Sequence, residues 1–159
     1  MERKIKNVYA QSEYYCFGCS PHNPIGLHLE FIENDDYIQT LWFPSLYYEG
    51  YPGNVHGGIL ATLLDETAAW TMYIKARCAG VTSRMNLRYR KGLPTRLSEV
   101  IIRGKVKEMN RNLCYITTEV IDKEGVVYVE AEVVYFTFSH EKSVNEAFYP
   151  ADYNSFFEE

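Results

Sequence analysis

An α+β fold is predicted, in which one antiparallel sheet of about six strands wraps around a long central helix. The first observation is the segment 59–74, which contains good helix formers, meets no breaker before Gly80 and is apolar around most of its circumference. The second is the set of β-type runs on both sides of this helix, joined by short polar turns that make neighbouring strands antiparallel. The predicted strands are 27–31, 37–43, 82–91, 98–108, 113–121 and 126–138.

The chain of 159 residues is long enough for one domain with its own core, so we expect a single domain over 1–159. The segment 1–26 shows no clear period and contains two prolines, which indicates an irregular lead-in. The tail at 140–159 carries five acidic residues and several aromatic ones. We expect either a short docked helix or partial disorder there.

Composition excludes several classes of function. The formal net charge of −5 argues against non-specific binding to nucleic acid. No apolar run approaches the roughly 20 residues of a membrane-spanning helix, and no signal-peptide core follows Met1. We therefore expect a cytoplasmic protein with neither a nucleic-acid partner nor a membrane partner.

The cysteines give no strong sign of a metal site. Four cysteines fit a reducing compartment, and two of them, Cys16 and Cys19, form a single CxxC motif with His22 and His28 nearby. A zinc knuckle normally shows a second ligand pair at tight spacing. The sequence therefore favours a packed loop, with no bound metal and no cofactor.

The start of the predicted helix has the features of an oxyanion hole. His56 is followed by Gly57 and Gly58, and backbone without a Cβ lets a substrate oxygen approach unpaired N–H groups at a helix N-terminus. Asp65 lies further along the helix among small residues that leave room for a ligand. The adjacent Glu66 lies among large ones and is expected to be structural.

The spacing of these groups predicts a dimer. Gly58 and Asp65 lie about 10 Å apart along a helix that rises roughly 1.5 Å per residue. One carbonyl can hardly touch both groups of the same chain. If both act on one bond, the N–H group of one copy must face the carboxylate of another, which places the active site between twofold-related helices.

The run from His56 to Glu66 closely resembles the hot-dog-fold acyl-CoA thioesterases of the phenylacetate-pathway and 4-hydroxybenzoyl-CoA type. The resemblance covers roughly residues 16–138, and Gly92 departs from it where many relatives have proline. It implies hydrolysis of an acyl-CoA to a free acid and coenzyme A by a homodimer or a dimer of dimers. It also implies that Gly57 or Gly58 binds the thioester oxygen and that Asp65 is the base or nucleophile.

Further candidate residues surround this centre. His56 could cap or orient the glycine loop, and Thr82 and Ser83 could hold the attacking water, as hydroxyls at the matching place do in some relatives. The segment 75–111 carries eleven of the sixteen basic residues and only two acidic ones, which suits an anionic ligand such as coenzyme A. The candidate substrate-binding residues are Asn54, Ser83, Arg84, Arg88, Arg90 and Lys91.

Two other functions remain open from the sequence. A hot-dog hydratase or dehydratase would place a catalytic histidine opposite an acid, whereas His56 lies against the glycines. A non-catalytic module that binds acyl-CoA or an aromatic ligand would keep the fold without turnover. Release of free thiol distinguishes the thioesterase from both.

Overall fold

One seven-stranded sheet forms the body of the protein, and every pair of neighbouring strands is antiparallel. The structure is a computed structural model that describes residues 1–11 and 13–157. The strands are β1 (Glu2–Lys4), β2 (Ile32–Asn34), β3 (Tyr37–Trp42), β4 (Gly80–Tyr89), β5 (Val100–Asn110), β6 (Leu113–Ile121) and β7 (Val127–Thr137). Their order in the sheet is β1-β2-β3-β5-β6-β7-β4.

The central helix α1 (Gly57–Thr71) packs mainly on β5 and β6 and continues into a π-helical turn, Met72–Ala76. Leu63 and Leu64 are completely buried, as the apolar pattern predicts. The helix ends where Arg77 adopts a left-handed conformation, with φ of 54°. The predicted architecture, one antiparallel sheet around a long helix, is therefore confirmed. No helix of the described residues is long and apolar enough to cross a membrane.

The prediction of a strand at 27–31 is wrong, although its pattern of burial is right. Leu27, Leu29 and Phe31 are buried and the residues between them are exposed. The backbone N–H groups of Leu27 and Leu29 donate to the carbonyls of Phe17 and Gly18 in the lead-in, so this segment is hydrogen-bonded to a loop and not to a strand. The short strand β2 follows instead, and β1 of the lead-in pairs with it as a seventh strand.

The tail packs on the end of the central helix. It forms α2 (His140–Glu146) and a 3-10 turn, Tyr153–Phe156. The hydroxyls of Tyr149 and Tyr153 donate to backbone carbonyls of the π-helical turn, at 2.9 and 3.1 Å. The described part of the tail therefore forms a short docked helix, which is one of the two expected alternatives. Residue 12 of the predicted lead-in and residues 158 and 159 of the predicted tail lie outside the described residues.

Strand β4 forms one edge of the sheet and leaves apolar side chains exposed. Val81 and Tyr89 are each 53% exposed, and Phe136 on the neighbouring β7 is 45% exposed. An edge strand also presents unpaired backbone N–H and C=O groups, which favour pairing with another strand.

Candidate active site

At the start of α1 the N–H of Gly58 is hydrogen-bonded, and the N–H of Gly57 before it is open. His56 is the N-cap, and its Nδ1 accepts the N–H of Gly58 at 2.9 Å. Among the described residues the N–H of Gly57 has no hydrogen-bond acceptor. The hydroxyl of Tyr89 donates to the Gly57 carbonyl at 2.9 Å, and so holds the first turn from the strand side. The sequence could not distinguish the two glycines, whereas the cap leaves Gly57 as the available donor.

Further along the helix, two hydroxyl groups hold the half-buried carboxylate of Asp65. Thr82 donates to Oδ1 at 3.0 Å and Tyr135 donates to the same oxygen at 2.9 Å. Tyr135 also donates to the Asp65 backbone carbonyl at 2.8 Å. Within the described part of the chain Oδ2 has no hydrogen-bond partner. The carboxylate is thus fixed through one oxygen, and the other is available to a substrate or a water molecule.

A β-bulge orients Thr82 toward the helix. The register between β4 and β7 shifts between Thr82 and Arg84, which leaves Ser83 as the extra residue. Thr82 and Tyr89 are an odd number of residues apart and would point to opposite faces of a regular strand. Both contact α1 here, because the bulge inserts one residue between them.

Sequence reasoning missed Tyr135. This residue is 2% exposed and lies directly opposite Thr82 in the sheet. Burial, and then the charge of Asp65, raises the pKa of the Tyr135 phenol above its ordinary value, so it stays a hydrogen-bond donor. A tyrosine in a buried strand is typical of a core, and only the register between β4 and β7 reveals its role.

Glu66 points away from this centre. Its carboxylate lies against the lead-in, where the Cys16 thiol is 3.4 Å from Oε1 and the Trp70 indole N–H donates to Oε1 at 3.2 Å. Burial, and then the neighbouring Cys16, raises the pKa of Glu66 to about 8. The adjacent acids of the helix therefore lie in two different environments, and Asp65 alone faces the hydroxyls of the sheet.

The arginines of the basic segment differ in their partners. Arg90 forms an ion pair with Glu130 at 2.7 Å. Arg84 and Arg88 are exposed and form no ion pair with any described residue. A guanidinium group attracts the phosphates of a ligand more strongly when no carboxylate already neutralises it. Arg84 and Arg88 are therefore the stronger candidates for an anion site.

The remaining predicted binding residues lie in varied positions. Lys91 has its ammonium 5.1 Å from the centre of the Tyr128 ring. Asn54 lies in the loop before α1, where its side-chain Oδ1 would be only 2.6 Å from a Cβ added to Gly92. The loop therefore needs glycine at position 92 for Asn54 to pack there. Ser83 is exposed at the bulge.

Comparison with known proteins gives a consistent family. A family model described as "Thioesterase superfamily" matches residues 52–135. The acyl-coenzyme A thioesterase THEM4 of Mus musculus is 31% identical over 105 residues, which are 65% of this chain and 44% of the mouse protein. THEM4 of Rattus norvegicus is 23% identical over 145 residues, which are 89% of this chain and 62% of the rat protein. The chain thus spans about half the length of these curated relatives.

The fold is shared with solved structures. A hypothetical thioesterase protein with coenzyme A from Streptococcus pneumoniae superposes with a TM-score of 0.62 and 24% identity, covering 70% of this chain and 89% of that one. Thioesterase superfamily member 2 of zebra fish gives a TM-score of 0.60 and 20% identity, covering 68% and 80%. These likenesses agree with the seven-stranded sheet and its central helix.

Proposed function

Because the chain belongs to the thioesterase superfamily, whose family model matches more than half of its residues, we propose that it hydrolyses an acyl-CoA thioester to a free acid and coenzyme A. The observation that carries the proposal is the Asp65 carboxylate, held through Oδ1 by Thr82 and Tyr135 with Oδ2 available. The names of the THEM4 relatives and the coenzyme A in the Streptococcus pneumoniae structure support the choice of substrate.

The proposed chemistry needs little beyond these groups. A thiolate is a good leaving group, since a thiol has a pKa near roughly 8.5, so no strong general acid is required. Asp65 acts on the thioester carbonyl either by taking a proton from water or by direct attack that forms a mixed anhydride. Both routes develop negative charge on the carbonyl oxygen, where the N–H of Gly57 would donate. Coenzyme A enters as part of the substrate, and the reaction uses no other cofactor.

The distance between these groups supports an active site shared between two copies. Gly57 and Asp65 are eight residues apart on α1, which is about 12 Å at a rise of roughly 1.5 Å per residue. A thioester carbonyl at Asp65 therefore receives its N–H group from a second copy of the chain. The exposed edge strand β4, with Val81 and Tyr89, offers a surface on which a twofold-related copy could pair. A dimer of dimers would repeat this unit.

The same strand supports a site for the charged end of coenzyme A. Arg84 and Arg88 lie on the face of β4 opposite to the one that carries Tyr89 to the helix, and both are exposed. Guanidinium groups bind phosphate through paired hydrogen bonds. We assign these two arginines to the phosphates and leave Arg90 with Glu130, its ion-pair partner.

The first experiment measures thiol release from short, long and aromatic acyl-CoAs by the wild type and by Asp65→Asn. The asparagine oxygen can still accept from Thr82 and Tyr135, so the variant should fold. Loss of the base should lower the rate by about a hundredfold or more. Equal rates for both proteins would contradict the role of Asp65. Stabilisation by a ligand without thiol release would indicate the binding module, and interconversion of enoyl and hydroxyacyl thioesters would indicate the hydratase.

Subunit complementation tests the shared site. Asp65→Asn and Gly57→Pro, which removes the Gly57 N–H, should each be nearly inactive. When the two are unfolded and refolded together, half of the dimers are mixed and each mixed dimer holds one intact site, so about a quarter of the wild-type rate should return. If each chain supplied both groups to its own site, no mixture would recover activity.

A further inference from the structure

The lead-in loop brings two thiols to the side of the central helix that faces away from Asp65. Cys16 and Cys19 lie next to Glu66, and the two sulfurs and a carboxylate oxygen are all within 4.8 Å of one another. The Cys16 sulfur is 3.4 Å from Oε1 and 3.5 Å from Oε2 of Glu66. These atoms come from segments that are 50 residues apart in the sequence.

Their spacing is close to that of a tetrahedral metal site. With Zn–S distances of about 2.3 Å and Zn–O distances of about 2.0 Å, a sulfur and an oxygen ligand lie about 3.5 Å apart and two sulfurs about 3.8 Å apart. The Cys16–Glu66 pair already has the first of these separations. Drawing all three atoms onto one ion requires movements of about 1 Å or less.

The loop that carries the thiols is shaped for such a group. The backbone N–H of Ser20 donates to the Cys16 carbonyl at 3.1 Å, which closes the turn that carries both thiols. A Cβ at Gly18 would lie 2.5 Å from Cδ of Glu66, so only glycine lets the carboxylate enter the loop. The carbonyls of Phe17 and Gly18 accept from the segment after the loop, at 2.7 and 2.9 Å, which fixes its position.

No positively charged side chain of the described residues pairs with the Glu66 carboxyl group. It forms no ion pair with lysine, arginine or histidine among them, and the Trp70 indole N–H orients it toward the thiols. A buried carboxyl group without such a partner either holds a proton or binds a metal, and a metal ion would take the place of the proton. Two thiolates select a soft or borderline cation, and zinc is the commonest one with mixed sulfur and oxygen ligands.

We propose that Cys16, Cys19 and Glu66 bind one zinc ion, with water as the fourth ligand. No other histidine, cysteine, aspartate or glutamate of the described residues joins this group. The ion fastens the lead-in to α1 at the residue next to Asp65, and so has a structural role. An open cavity of about 810 Å³ is lined by Cys19 and Trp70 among others, so it reaches one of the three ligands from solvent. The proposal does not depend on the thioesterase activity.

The test measures bound metal in the full chain. The protein is stripped of metal under reducing conditions, reconstituted with zinc, passed through a desalting column and analysed by mass spectrometry of the element. We expect about one zinc ion per chain in the wild type and its loss in Cys16→Ser. Cys78→Ser is the matched control, because Cys78 is another buried cysteine outside the cluster, and it should keep the zinc. A chelator should lower the Tm of the wild type and of Cys78→Ser but not that of Cys16→Ser.

A second variant covers the case in which Cys16→Ser fails to fold. Glu66→Gln keeps both thiols, and its zinc affinity, measured by competition with a chromophoric chelator, should fall about tenfold or more. Cobalt should give a thiolate-to-metal charge-transfer band in the wild type and an altered ligand-field spectrum in Glu66→Gln. A wild type that holds no zinc after reconstitution overturns the proposal. So does zinc that stays in Cys16→Ser, or an affinity that Glu66→Gln leaves unchanged.

Discussion

Replacing Gly57 by proline removes the one backbone N–H that we propose binds the thioester oxygen, and the local structure tolerates the change. Gly57 is the first residue of α1, a position where the missing N–H of proline breaks no helical hydrogen bond and where its fixed φ fits the helix. The preceding His56 has φ of −59° and ψ of 134°, a conformation that a residue before proline readily adopts. We therefore expect Gly57→Pro to fold with a Tm close to that of the wild type.

The effect on catalysis should be large. Removal of one oxyanion-hole donor costs about 2.7–4 kcal/mol of transition-state stabilisation, or roughly 10²–10³ in kcat. Gly57→Ala is the matched control, because it keeps the N–H. Its Cβ would lie 3.5 Å from the Tyr89 ring, an ordinary contact distance, so its kcat should remain within a few fold of that of the wild type.

The assay is thiol release from the best acyl-CoA substrate, with kcat and KM determined separately and the Tm of each variant recorded. The expected pattern is a loss of kcat in Gly57→Pro that Gly57→Ala does not share. If Gly57→Pro hydrolysed the substrate as fast as Gly57→Ala, the N–H of Gly57 would have no part in catalysis, and the shared-site geometry would lose its basis.

Two further predictions concern hydroxyl and carboxyl groups. Tyr135→Phe removes one hydrogen bond to the Asp65 carboxylate, worth about 1.5 kcal/mol, so kcat/KM for thiol release should fall about tenfold. Tyr128→Phe, which removes a comparable bond to Asp122 and keeps the ring beside Lys91, should keep its kcat/KM, and equal losses in both variants would contradict this assignment. Burial raises the pKa of Glu33, but hydrogen bonds and charges from Lys75 and Arg3 outweigh it and hold the pKa below its ordinary value of 4.5. This stabilisation is present above that value and is lost as the pH falls through the lowered pKa. Glu33→Gln should therefore lower the Tm at neutral pH by about 2–4 °C. Its Tm should also fall less than that of the wild type as the pH is lowered. Curves of Tm against pH that run parallel for the two proteins would contradict the linkage.

Much of the fold follows from local patterns in the sequence. The apolar pattern and the absence of breakers define the central helix, and alternating residues with short turns define β3 to β7 within about two residues. The failure at 27–31 is instructive, because the alternation of burial there is correct while the backbone partners belong to the lead-in loop. Alternation reports which side chains are buried and does not report which backbone groups they pair with.

For the candidate site, the sequence by itself pointed to the glycine pair, the cap residue His56 and Asp65, because these lie close together on one element and their spacing is local, and the family resemblance added Thr82. The tertiary structure decided the rest. Tyr135 meets Asp65 only through the register of β7 beside β4, and Thr82 reaches it only because a bulge shifts one residue. Side chains from distant segments become neighbours through strand pairing, and a linear pattern of periods and spacings carries no record of that pairing.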